Sequence, residues 1–563
     1  MAGTILENLS GRKLAYLVSI LLISQVICFL VGGLIAPAPS NVDSILATKC
    51  LMDKPLGINE FDDVWHIPRG NNGKMNINCH VINSDLDDPK VISDPNITPN
   101  HLVFAFQAPL PKDGMILDYS RWMATLNAVL QLDIAFMRQN PMAKEPKLTF
   151  QVKLGYRNKW DPDDQWTLLA NSTETRDLQC SIDKERKVDG YHYDCDLLPL
   201  FELGSLHHDY YLVNLRLPTD LSGKTNLNDG IGHIDDIWLV VIHQNGGFTK
   251  VWVSLKTVFF PVIIAVLVWY WKRICLLCRP PILVEKMLLG LGIALSLLNL
   301  PLEYLALWID MPFMILLSDI KQGIFYAALL SFWLVFCGEH LMDEVERNRM
   351  RSYWRYLTSV VFGCFCLFIF DMCERGVQLK NPFFSIWTSK AGSNLSLGFI
   401  ILAAISACIY FFFLCHLVFK VFKNIGFKRN TLPTMSSTRR MYYEGIIYRF
   451  KFLMMTTVLC AALTVISFIV GQVSEGRWKW DDNINVEYTS AFFTGVYGMW
   501  NLYTIALLAL YAPSHKYYPA QSDAISSTQE EIEFSRLTTS EPSPSEPTEI
   551  SSLTGLAKKA AFD

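Results

Sequence analysis

The chain has 563 residues, 51% of them hydrophobic and 18% charged, with a formal net charge of −4. That composition agrees with an integral membrane protein. A charge so near neutral selects no class of partner, and nucleic acid is not expected.

Eight apolar stretches dominate the sequence: 14–36, 251–271, 287–309, 313–337, 356–373, 397–419, 450–471 and 491–511. Each is near the ~20 residues that ~30 Å of hydrocarbon requires at ~1.5 Å per residue. Backbone in lipid must satisfy its own hydrogen bonds, so these stretches predict helices. The first is longer than the ~7–15 apolar residues of a signal peptide. Pro37 and Pro39 also follow the plausible cleavage positions, so it reads as a retained anchor.

Basic residues set the orientation. Seventeen Lys and Arg flank the spans on one side, from Arg12 and Lys13 through Lys272, Arg273 and Arg279 to Arg449. The short loops opposite carry five: Arg375, Lys380, Lys390, Arg477 and Lys479. The positive-inside rule then predicts a cytosolic segment 1–13, a luminal block 37–250, a seven-helix bundle 251–511 and a cytosolic tail 512–563.

The luminal block reads as β-rich. Leu148–Tyr156, Tyr211–Leu217 and His101–Phe106 alternate apolar and polar residues, and Ile237–Ile242 is an apolar run of strand length. Trp122–Phe136 fits either helix or strand. The expected fold is therefore an α-helical polytopic membrane protein carrying a sandwich or barrel-like luminal domain. Four cysteines fall in this block. Short loops close most readily, which favours Cys50–Cys79 and Cys180–Cys195 among three possible connectivities. Asn96, Asn171 and Asn394 head N-glycosylation sequons on the same side.

On the cytosolic side, the residues from about Gln521 are rich in Ser, Thr, Glu and Pro and predict disorder. Cys275 and Cys278 make half a zinc-type spacing with no second pair, so free or palmitoylated thiols are the better reading. Tyr443-Glu444-Gly445-Ile446 fits the extended Tyr-x-x-Φ peptide that clathrin adaptors read; alternatively both side chains belong to the start of the next helix.

Ionisable and polar residues gather at one membrane depth, near the luminal ends of the spans. Lys256, Glu303, Asp371, Glu374 and Arg375 form a polar rim there. Charges at membrane depth usually face a cavity or one another. Asp371 and Arg375, four apart with the acid first, also suit a local ion pair. Asp319, Gln322, Tyr326, Leu330 and Trp333 line one face of the fourth span, as pocket lining or packing surface. Enzyme readings fail, because the sequence holds no His-Glu-x-x-His, no Gly-x-Ser-x-Gly and no nucleotide loop. No cofactor or metal is expected.

Several longer motifs carry a family resemblance. His243–Trp252, Ser318–Tyr326, Phe370–Leu379, Asn381–Trp387, Gly498–Tyr503, Leu510–Lys516 and the opening Met1–Ser10 are similar to the Wntless (Evi/Sprinter) family, most of all to its insect members. The similarity spans roughly residues 1–516. It implies a receptor that carries acylated Wnt through the endoplasmic reticulum and Golgi to the plasma membrane. It also implies a bundle whose last seven helices look like a G-protein-coupled receptor. Retrieval would run through endosomes with clathrin adaptors and retromer, and Tyr443 and Ile446 match the family's endocytic element. Vertebrate members end in an endoplasmic-reticulum return signal, whereas Lys558 and Lys559 are not placed as a terminal dilysine.

An acyl pocket inside the bundle follows as an expectation, lined by the fourth, fifth and eighth spans. Its candidates are Asp319, Gln322, Phe325, Tyr326, Phe332, Trp500 and Asn501. The alternative is an orphan heptahelical signalling receptor, although the usual Asp-Arg-Tyr and Asn-Pro-x-x-Tyr elements are missing.

Overall fold

The computed structural model describes residues 4–52, 64–68, 79–82, 99–110, 117–183, 187–219, 227–277, 279–340, 348–431, 433, 437–478 and 487–514. Asn96, Cys278 and the tail from 515 lie outside the described residues.

Eight long helices account for the apolar stretches. They are α1 (Gly11–Leu30), α2 (Gly246–Cys275), α3 (Leu283–Asn299), α4 (Met314–Glu339), α5 (Trp354–Gln378), α6 (Lys390–Thr431), α7 (Ser437–Trp478) and α8 (Glu487–Leu510). The third stretch is not one helix through 309. Pro301 has no N–H and disfavours helical geometry in the residue before it, so α3 ends at Asn299 and a single turn, Glu303–Ala306, follows. The break leaves the Leu300 carbonyl for Lys321 Nζ at 3.4 Å, inside the bundle.

The helix-to-helix contacts depend on small residues where backbones approach closely. A Cβ on Gly495 would fall 2.3 Å from the Phe29 ring, and one on Gly498 2.5 Å from Cys28 Sγ. Thr494 Oγ1 donates to the Cys28 carbonyl at 2.9 Å across the same seam. The first helix thereby packs on α8 with little of its own surface buried, as van der Waals packing in lipid requires.

Between α1 and α2 stands a β-sandwich. One sheet has the order β1-β12-β5-β10, formed by Ser40–Leu46, His233–Gln244, Leu126–Ala135 and Leu198–Leu203. The other has the order β3-β2-β4-β11-β6-β7, formed by His80–Ile82, Thr48–Leu51, Leu102–Ala108, Tyr210–Arg216, Lys147–Arg157 and Thr167–Asp177. A two-stranded ribbon pairs β8 (Cys180–Ser181) with β9 (Asp194–Cys195). The ambiguous Trp122–Phe136 segment is strand β5, because its alternate residues Leu126, Ala128, Leu130 and Leu132 all enter the core. Register explains that choice: Leu130 faces Leu239 and Ala128 faces Val241 on β12. Phe106, Phe150, Leu154 and Leu215 fill the core from the opposite sheet. Each such side chain contributes roughly 1.5–3 kcal/mol on burial.

Cys50 is bonded to Cys79 and Cys180 to Cys195. The domain stands directly on the membrane helices. Strand β12 runs into α2 through Asn245, whose Oδ1 caps the helix by accepting from Gly247 N at 2.9 Å.

Candidate functional site

Of the polar rim, Arg375 ties the bundle to the β-domain, while Lys256, Glu303 and Glu374 are held within the membrane helices and their loops. Lys256 on α2 reaches Glu303 beyond α3 at 2.5 Å, with the lysine almost wholly buried. Arg375 at the end of α5 pairs with Glu202 of β10, and Gln378 also donates to Glu202. Glu374 turns to the α5–α6 loop, accepting from Ile386 N at 2.9 Å. The local pair expected between Asp371 and Arg375 does not form, because Glu202 takes the guanidinium. Ser205 donates to Asp310, and Arg121 to the Leu307 carbonyl at 2.7 Å, on the α3–α4 loop. A cleft of about 250 Å³ remains between Glu202–Tyr211 of the β-domain and the ends of α4 and α5. His208, stacked on Tyr156 at 3.6 Å, stands at its edge, where burial pushes its imidazole below the usual range.

Within the bundle, two helical stripes face each other. On α4, Asp319, Gln322, Tyr326, Leu330 and Trp333 follow the 3–4 spacing of one face and stay half-buried or exposed. On α8, Phe493, Val496, Trp500 and Tyr503 follow the same spacing, exposed at Phe493, half-buried at Val496 and buried at Trp500 and Tyr503. Trp333 and Trp500 meet at 6.1 Å between ring centroids, which puts the two stripes opposite one another. Nearer the β-domain Gln322 is exposed and Phe493 is 50% exposed, with the Phe493 ring 6.4 Å from Phe248 of α2.

A polar chain links the helices at this depth. Trp333 Nε1 donates to Tyr503 Oη at 3.0 Å, and Tyr503 shares a 2.8 Å hydrogen bond with Thr457 of α7. Tyr410 of α6 reaches the Leu330 carbonyl of α4 at 3.4 Å. The helices α6 and α7 meet further from the β-domain, where Phe422 and Phe450 pack edge-on at 5.6 Å. Above that contact each buries only a narrow stripe. Ser406 and Leu417 do so on α6, and Thr457 and Cys460 on α7. The rest of their surface, including Ile401, Ile405, Val458 and Leu459, is apolar and exposed.

Three pocket candidates pack away from the Trp333–Trp500 contact. Phe325 and Phe332, 1% and 0% exposed, lie on the packed face of α4 with Leu329 and Phe336. Asn501 turns toward α3, where its Oδ1 accepts from Asn299 Nδ2 at 2.7 Å. Depth in the membrane selected these residues, but helical phase turns them away. Asp319, Gln322 and Tyr326 lie on the opposite face of α4, and Trp500 meets Trp333 from α8. Sequence reasoning missed Phe493, Val496, Tyr503 and Thr457; the first three share the 3–4 spacing of Trp500 and were legible in 491–511. Fully buried Lys321, near the rim, was also passed over.

The remaining candidates lie elsewhere. Tyr443 and Ile446 fall within helix α7. Asn171 is exposed on β7, the edge strand of the larger sheet, while Asn394 lies in the first turns of α6 with Ser396 fully buried.

An antiparallel β-sandwich mounted on a bundle of long apolar helices defines a multi-pass membrane protein with a folded domain outside the membrane. The comparisons narrow the class. Residues 48–244 match the family model "Wntless, GOLD domain", and residues 245–515 match "Wntless-like, transmembrane domain". Curated proteins named "Protein wntless" align over the whole of this chain and of themselves. The identity is 52% for Drosophila virilis, 51% for Drosophila ananassae and 49% for Drosophila erecta. The chain belongs to the Wntless family of Wnt secretion factors.

Proposed function

We propose that this protein binds acylated Wnt in the secretory pathway, holding the acyl chain within the helical bundle and the protein part against the β-domain. It carries this cargo to the cell surface and is then retrieved by adaptor-dependent endocytosis and retromer. The observation that supports the reading is the β-domain seated directly over the helix ends, with a cleft of about 250 Å³ between Glu202–Tyr211 and the ends of α4 and α5. Burying an acyl chain gains ~0.8 kcal/mol per methylene, so about sixteen carbons give on the order of 10 kcal/mol gross, less the ordering costs. The β-domain stands on the luminal side in this reading, because Lys272, Arg273 and Arg279 flank the opposite ends of the helices.

The alternative, a signalling receptor, is disfavoured by the far end of the bundle. There the turn Ile5–Asn8 folds in, with Leu6 only 2% exposed and Ile5 N donating to the Ala512 carbonyl at 2.9 Å. That segment covers part of the surface a cytosolic partner would need.

Copurification of acylated Wnt against its unacylated serine mutant tests the carrier reading. Retention of the acylated form alone is expected; equal retention of both rejects an acyl site.

A further inference from the structure

Strand register fixes which end of the β-sandwich meets the membrane. Strand β12 enters α2 just beyond Gln244, and its register brings Leu126 of β5 and Leu203 of β10 to that end. In the other sheet Tyr210 faces Arg157, the last residue of β6, and the Tyr119 ring lies against both Tyr211 and His243. The β6–β7 turn, residues 158–166, therefore lies at the membrane end. Its surroundings agree. Asn158 Oδ1 meets His208 Nδ1 at 3.0 Å, and Leu169, near the start of β7, lines the cleft with Pro312 and Ile315.

This turn is ordered, and it displays a tryptophan. Asp161 Oδ2 accepts from Asn158 N at 2.9 Å, and Asp163 takes the Arg157 guanidinium. Lys159 N donates to Asp209 at 2.8 Å, while its Nζ reaches Asp118 at 3.2 Å. Trp160, between these anchored residues, is 91% exposed and is not among the residues that line the cleft. The α3–α4 loop presents similar surface nearby, with Trp308 83% and Ile309 59% exposed. Arg121, close in sequence to Asp118, joins the two segments by donating to the Leu307 carbonyl at 2.7 Å. Indole rings collect at membrane–water interfaces, where an apolar body and a polar N–H are both accommodated.

We propose that Trp160 is a lipid-binding residue: the β6–β7 turn rests on the bilayer and places this indole among the headgroups beside Trp308. The partner is a zwitterionic phospholipid surface, because Lys159 and Arg157 are already engaged by Asp118 and Asp163 and do not invite an anionic headgroup. Asp164, exposed in the same turn, keeps the ring at headgroup depth and out of the hydrocarbon. The sandwich is then held at two places, by its ties to the bundle and by lipid, which limits how far it can tilt. None of this depends on what the protein carries.

The test uses the full chain labelled with fluorotryptophan in phosphatidylcholine nanodiscs and observed by fluorine NMR. Trp160→Phe and Trp308→Phe assign the two resonances, each by the loss of one line. A nitroxide on the lipid headgroup is expected to broaden the Trp160 line as strongly as the Trp308 line. Trp238, about 20 Å further up β12 from Gln244, should stay sharp. A Trp160 line that ignores the lipid nitroxide but broadens with a water-borne gadolinium chelate overturns the proposal. So does protection from the chelate that appears only when acylated Wnt is added, which makes Trp160 a cargo contact. Should the lines overlap, a benzophenone amino acid at position 160 should crosslink to phospholipid on illumination, and crosslinks to protein alone reject the assignment.

Discussion

Phe383, from the loop between α5 and α6, is 1% exposed inside the core of the β-domain, edge-on to Phe201 at 6.1 Å. The loop that carries it is held on both sides. Arg176 Nη2 donates to its carbonyl at 2.7 Å, and Glu202 N donates to the Pro382 carbonyl at 3.0 Å. A membrane helix pair and a sandwich far away in sequence thus share one core residue.

Phe383→Ala should cost about 3–5 kcal/mol, the usual range for a fully buried Phe. The loss is expected in the coupling between domains as well as in the sandwich. Hydrogen exchange would report it as faster exchange at the Glu202 amide together with residues 383–388. Faster exchange confined to the loop would show that Phe383 does not anchor the sandwich.

The contact between Lys256 and Glu303 behaves differently. Removing one partner strands a charge near the membrane, whereas removing both leaves neither. Lys256→Met is expected to destabilise by about 2–3 kcal/mol, below a fully buried pair because Glu303 keeps some exposure. The double variant Lys256→Met/Glu303→Gln should recover most of that loss. A thermal double-mutant cycle in detergent measures it, and additive losses would reject a direct pairing.

The sequence exposes some of this arrangement and hides the rest, for physical reasons. Helices α1 to α8 were legible because lipid imposes length and apolarity on every span. Strands β6 and β11 were legible because a half-buried strand must alternate. Depth along the membrane was legible too, which is why Lys256, Glu303 and Arg375 could be placed near one end of the bundle. Facing was harder. Phe325 and Phe332 share the depth of Tyr326, but the 100° step per residue turns them onto α4's packed side. Long-range partners were not legible at all. Arg375 has an acid four residues earlier, and nothing local says that Glu202, 173 residues away, will claim it.

His66 gives the β-domain a pH dependence. Burial, with the Lys153 ammonium second, pushes its imidazole down to about 4. The unfolded chain takes up that proton near the usual value of about 6.5, so only the unfolded state gains protons between about 6.5 and 4. Its contribution is therefore complete above about 6.5 and is lost as pH falls toward 4, about 3 kcal/mol in all. Denaturant unfolding of the β-domain at pH 7 and pH 4.5 should show the loss, and His66→Gln should reduce it. An unchanged pH slope in that variant would assign the dependence to other groups.

The last prediction joins trafficking to local structure. An adaptor reads Tyr-x-x-Φ as an extended peptide, whereas residues 443–446 lie near the start of α7 in helical backbone. If Tyr443 and Ile446 are the endocytic element, the first turns of α7 must unwind before capture. Tyr443→Ala should then raise the surface population by abolishing uptake. Gly445→Ala leaves both recognition side chains intact but favours the helix by about 1 kcal/mol, so uptake should slow by roughly fivefold. A Pro at the same position should do the opposite to the helix and preserve uptake. Surface biotinylation with a timed internalisation assay separates the three. Normal uptake in Tyr443→Ala removes the motif from the mechanism; normal uptake in Gly445→Ala alone removes the unwinding step.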